Sequence, residues 1–168
     1  DAWREANNRL YEHFSSTAKE LPDTVEEMSS LFAAVSHGCA AGRYHEALWK
    51  VYWQRIQREG KYFNMNNVGA FGADLAALSG FFAMPWQHLV AELTDTDKSF
   101  MLGVAGFDLR ALGRLKEAAQ PLQAALEMDI ASEDWMNAAI SAGNLSELYL
   151  SIGDLQQALK LAHQSVEL

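Results

Sequence analysis

Two of the five histidines flank the only cysteine in "HGCAAGRYHE", residues 37–46, and these residue types could carry two kinds of chemistry. His45-Glu46 opens an H-E-x-x-H pattern, in which two histidines one turn apart hold zinc and the glutamate acts as general base. The place of the second histidine is taken by Trp49, so the motif fails for want of a ligand. The other option is a thiolate at Cys39 activated by His37. On a helix, residues two apart diverge by about 200°, so these side chains cannot share a proton. Cys39 is expected as a small buried residue, and no catalytic residue, metal or cofactor is expected in the chain.

The carboxylates offer no better site. Glu26-Glu27, Glu117 and Glu133-Asp134 fall at expected helix starts, where acid favours the helix dipole. "VGAFGADLAALSG" is rich in glycine, but its alanine-leucine period is helical and it lacks the lysine of a phosphate-binding loop. With 13 basic against 22 acidic residues the formal charge is −9. Such a surface repels phosphate backbones and anionic membranes, so neither is an expected partner. A single cysteine excludes an internal disulfide and fits a reducing, cytoplasmic setting. No window reads as a membrane span or signal peptide. The chain opens on Asp1 rather than Met and closes on "HQSVEL" within a helical pattern, so a segment of a longer protein is expected.

The elements around these residues read as helices. The first, 1–20, places Trp3, Leu10 and Phe14 roughly on one face and ends before Pro22. Asp23-x-x-Glu26 resembles a capping box for a helix running to about Ala41. Further helical patterns follow at about 44–58, 66–80, 85–93, 97–112, 115–129, 134–152 and 155–168, with no convincing strand. Pro121 should kink or shorten its helix.

Three segments then align: "AAGRYHEAL", "ALGRLKEAA" and "SIGDLQQAL". Each has a glycine between two helices and an alanine five residues later. Gly42, Gly113 and Gly153 occupy the turn, while Ala47, Ala118 and Ala158 occupy the point where two helices cross. This pattern resembles the tetratricopeptide repeat. The resemblance implies an all-α, right-handed α-solenoid of helix-turn-helix units, about four repeats after the N-terminal helix, in one domain over 1–168. Repeat starts fall near 28, 65, 99 and 139. The second unit is degenerate: Ser79 replaces the turn glycine, Met84 the crossing alanine, and Pro85-Trp86 interrupts its second helix.

In this family the first helix of each unit lines a concave wall. The register puts Phe32, Ser36, Asn66, Ala73, Phe107, Asn144 and Glu147 there as candidate binding residues for a protein or peptide partner. Members that clamp peptide carboxylates use basic residues and asparagine at such positions. Only Asn144 matches, which puts tail binding in doubt. Trp49, Tyr52, Trp53 and Ile56 form a second apolar stripe on one helix. Either the N-terminal helix or the 58–68 loop covers it, or it is an interface with a neighbouring domain or a second copy.

Taken over most of its length, from "LYEHF" through "EDWMNAAISAGNLSELYLSIGDL", the chain resembles the C-terminal repeat region of bacterial signalling NTPases of the STAND type. That resemblance implies a non-catalytic sensor or autoinhibitory module, possessing no enzyme activity of its own and contacting other domains of the same protein. A small-molecule or peptide receptor domain of a repeat-type transcriptional regulator is the alternative.

Overall fold

Gly42, Gly113 and Gly153 all adopt left-handed backbone angles, with φ of 75°, 73° and 91°. Each follows the end of a helix within two residues, and the same pair of hydrogen bonds closes around it. Arg43, Arg114 and Asp154 donate back to Gly38, Leu109 and Tyr149, while the three glycines donate to Cys39, Arg110 and Leu150. This is the Schellman arrangement, which satisfies carbonyls that a helix end otherwise leaves open. Glu133 builds the same turn without glycine, at φ 58°, with Asp134 donating to Asp129 and Glu133 to Ile130.

The computed structural model describes residues 2–168, so Asp1, the first residue of the expected N-terminal helix, lies outside the described residues. The chain forms two units, one ending at Ala83 and the other beginning at Met84. Helices dominate both, and the architecture is an all-α helical repeat fold.

In the first unit, α1 (Ala2–Thr17), α3 (Tyr44–Glu46) with its continuation, and α4 (Phe71–Leu78) surround α2 (Val25–Ala40). That setting explains why α2 buries Met28, Leu31, Phe32, Ala34, Val35 and Cys39 rather than a single stripe. Its cap is Thr24, whose hydroxyl accepts from the Glu27 N–H, while the Glu27 carboxylate accepts from the Asp23 N–H. The capping pair thus lies one residue beyond the expected Asp23 and Glu26. On α1 the inward residues are Asn7 and Tyr11, with Phe14 half-buried; Trp3 and Leu10 face outward, at 69% and 39% exposure. Loss of that expected face follows from packing: Tyr11 lies against Gly38, where a Cβ would sit 2.9 Å from its ring.

Past Glu46 the helix widens into a π-helical segment, π1 (Ala47–Ile56), in place of the α-helix expected to 58. Its last turn closes from the Gln57 N–H to the Tyr52 carbonyl, five residues back. Arg55, buried on π1, donates to the carbonyls of Ser15, Ala18, Lys19 and Glu20. It thereby caps the C-terminal end of α1, which has no glycine of its own. The expected helix at 66–80 is divided between a π turn, π2 (Asn64–Val68), and α4.

The helix expected over 85–93 is absent. Strands β1 (Phe82–Met84) and β2 (His88–Leu89) pair across a turn closed from the Gln87 N–H to the Met84 carbonyl. Pro85 disfavours a helical conformation for Met84 and suits the second position of such a turn. Trp86 completes it at φ 60°. The unit expected to start near 65 therefore has α4 as a first helix and no second one.

The second unit is two helical hairpins: α5 (Asp95–Ala111) with α6 (Leu115–Ala131), and α7 (Trp135–Ile152) with α8 (Leu155–Glu167). A full capping box between Thr94 and Asp97 starts α5. Ala118 and Ala158 are buried at their crossings, as is Ala47 in the first unit. The closest approach is at Gly106, where a Cβ would lie 2.5 Å from the Leu122 side chain. Pro121 does not shorten α6, which continues unbroken to Ala131. The proline is buried on the packed face of the helix.

Candidate functional site

The residues of "HGCAAGRYHE" diverge, as their spacing requires. His37 turns to α1, with its Nδ1 2.9 Å from Asn7 Oδ1 and its ring stacked on Phe14 at 5.6 Å. Cys39 is buried against Gly80, and burial raises its thiol far above the usual range. His45 is exposed. Glu46 accepts from Arg43 Nε and Nη2, at 2.9 and 2.8 Å, and from Lys50 Nζ at 3.1 Å. Those hydrogen bonds depress its carboxyl to about 2. This is a structural clamp on the start of π1, extended by Arg43 over the Tyr11 ring at 4.3 Å. Among the described residues no group of three histidine, cysteine or acidic side chains could hold a metal.

Two further polar clusters are interior. In the first unit Asp74 Oδ2 accepts from Tyr52 Oη at 3.1 Å, Gln57 Nε2 at 3.1 Å and Asn64 Nδ2 at 2.7 Å. All four residues have no exposed surface. The wide last turn of π1 brings Gln57 beside Tyr52, which it also reaches at 2.8 Å. In the second unit Asp129 on α6 accepts from Ser99 on α5 and Ser141 on α7. These clusters join helices and present nothing to a ligand.

Tyr52 therefore leaves the expected apolar stripe and points inward. Trp49 and Trp53 stay half-buried, their rings in edge contact at 6.1 Å, and Tyr62 from the following loop covers Trp53 at 5.5 Å. The 58–68 loop, one of the two expected coverings, is thus in contact with the stripe.

The residues expected on a concave wall fall into two groups. In the first unit Phe32 is buried, Ala73 half-buried, and Ser36 and Asn66 are exposed. The Ser36 hydroxyl donates to the Phe32 carbonyl and the Asn66 amide to that of Lys61. In the second unit the residues converge. Arg110 reaches from α5 to Glu147 on α7 at 2.6 Å, with its guanidinium 5.2 Å from the Phe107 ring centre. Asn144 lies one turn before Glu147. Arg110, one turn after Phe107 on the same helix, joins this group without being among the expected residues.

The second unit also carries a groove of about 310 Å³ between α6, α7 and α8. Leu126, Ile130 and Leu161 form its apolar lining, with Tyr149, Gln157, Lys160 and Gln164 along it. Its size lies at the lower end for small-ligand pockets.

Glycine-turned hairpins with alanine at each crossing define a helical repeat fold, and repeats of this kind generally mediate protein–protein interaction. Residues 99–168 match the family model of the tetratricopeptide repeat. The match begins at Ser99, where the sequence register starts a repeat, and takes in both hairpins of the second unit. No curated protein and no solved structure matches the chain.

Proposed function

We propose that the chain is a non-catalytic recognition module whose second unit binds a protein segment across α5 and α7. The observation that carries this reading is the Phe107–Arg110–Glu147 group. It sets an aromatic face, a cation and a 62% exposed carboxylate side by side on successive first helices. Aromatic and arginine anchors dominate protein interfaces, and here the arginine is already oriented by its neighbours. The wider role is the one the sequence resemblance implies: the sensor or autoinhibitory repeat region of a bacterial STAND-type signalling or defence NTPase. A partner that binds one state of such a switch more tightly than the other shifts its equilibrium by that difference.

The test is affinity capture with the wild-type chain and with Phe107→Ala and Glu147→Lys variants, followed by titration of each captured partner in purified form. Loss of about tenfold or more in affinity, about 1.4 kcal/mol, is expected for the true partner. Unchanged affinity for every partner overturns the reading.

The groove beside Tyr149 favours a second reading, a receptor for a small molecule or short peptide. Stabilisation of the chain against heat by such a ligand, abolished by Tyr149→Ala, is the expected sign.

A further inference from the structure

Helix α8 carries four outward-facing residues, Leu155, Leu159, Ala162 and Val166; the three large ones are 65%, 61% and 88% exposed. At about 100° per residue they keep within roughly 60° of one another, on a stripe about 16 Å long. Forty residues earlier, the matching positions on α6 are Leu115, Ala119, Leu122 and Leu126, which are half-buried or buried. The difference lies in what packs there: α6 is held between α5 and α7, whereas α8 packs on α7. The stripe on α8 is thus a hairpin-stacking face with no helix laid upon it among the described residues.

The order of that stripe says what fits it. Its spacings are four, three and four residues, the same in either direction. A second α8 laid antiparallel would place Leu155 against the partner's Val166 and Leu159 against the partner's Ala162. Each contact then sets a longer side chain against a shorter one, as close helix packing requires. The charge agrees. Although the chain is formally −9, α8 holds one lysine and one glutamate, so two copies meet without repulsion. The apolar surface continues beyond α8. The Ser165 hydroxyl donates to the Ala139 carbonyl at 2.8 Å, which brings the end of α8 beside Met136 and Ile140 of α7, 74% and 54% exposed.

We infer that this face is a two-fold interface between two copies of the chain, built on antiparallel α8 helices. It is separate from the groove lined by Gln157, Lys160 and Gln164, which occupies another side of α8. Isologous pairing of this kind closes on itself and stops at the dimer.

Sedimentation velocity over a concentration series tests the pairing. The wild-type chain should sediment as a concentration-dependent dimer, and Leu159→Asp should weaken dimerisation at least about a hundredfold; circular dichroism checks that the helices remain. A wild type that stays monomeric at every concentration overturns the inference, and so does a Leu159→Asp dimer as tight as the wild type. Cysteine cross-linking tests the register. A mixture of Leu155→Cys and Val166→Cys chains should form a disulfide-linked dimer that neither variant forms alone to the same extent. Equal cross-linking in all three samples overturns the antiparallel arrangement. The native Cys39 is buried and does not compete.

Discussion

Four turns with one hydrogen-bond pattern isolate the contribution of a single backbone angle. Gly42, Gly113 and Gly153 take it as glycines, whereas Glu133 takes it at φ 58° with a side chain attached. A non-glycine residue in this region costs about 1–2 kcal/mol. Glycine in turn loses more freedom on folding, about 0.5–1 kcal/mol relative to alanine. Glu133→Gly also removes a charge near the start of α7 that is worth a few tenths of a kcal/mol, ~0.3. The balance predicts a net stabilisation of about 0.5 kcal/mol for Glu133→Gly, a rise of one or two degrees in melting temperature. Gly113→Ala is the control. Nothing lies within 4 Å of a Cβ built there, so its expected loss of about 1 kcal/mol is purely conformational. Thermal unfolding followed by circular dichroism checks both, and a Glu133→Gly variant less stable than wild type sinks the argument. Gly42 is a poorer control, because the Arg4 guanidinium crowds its Cβ position.

At the scale of elements, Asp129 joins three helices through two serine hydroxyls. Removing the acceptor and removing the donors should differ. After Asp129→Ala the hydroxyls can turn to nearby carbonyls, and Ser99 already lies 3.4 Å from that of Ala125. After Ser99→Ala with Ser141→Ala, a buried carboxylate loses both hydroxyl donors. The double substitution should therefore cost about 3 kcal/mol and the single one about 1–2 kcal/mol, read from urea midpoints; the reverse order would refute the assignment. Part of this was legible. Asp129 continues the buried face of α6 after Ala118, Leu122 and Ala125, and a carboxylate on such a face needs partners. Its donors were not legible, because Ser99 and Ser141 lie on other helices. The hairpins were readable because glycine at a left-handed turn and alanine at a crossing are local requirements. Over 85–93 Pro85 and its turn decide against the expected helix, in an apolar run that suits either structure. Widening of π1 is tertiary: it goes with burying Tyr52 and Gln57 on Asp74, contacts that no sequence period announces.

Over the whole molecule, the charge carries an expectation about partners. The chain has 13 basic and 22 acidic residues and a pI near 4.9. Its cations are also engaged. Arg9, Lys19, Arg43, Lys50, Arg55, Arg58, Lys98, Arg110 and Arg114 each pair with a carboxylate. Arg4 donates to the Ala41 carbonyl, and that leaves Lys61, Lys116 and Lys160 outside these pairs, on three separate helical segments. Binding to a nucleic-acid backbone draws its strength from several cations displacing counterions together, and it strengthens steeply as salt falls. With three lysines outside ion pairs among the described residues and a net negative charge, weak or no binding of this kind is predicted. Titration of a labelled DNA duplex with the chain should leave its fluorescence anisotropy flat even at about 50 mM salt, where such binding is strongest. Reversing the charge of one isolated pair, as in Glu117→Lys beside Arg114, should leave it flat as well. A salt-dependent rise in the wild type would mean that the acidic surface conceals a basic site, and would return nucleic acid to the list of partners.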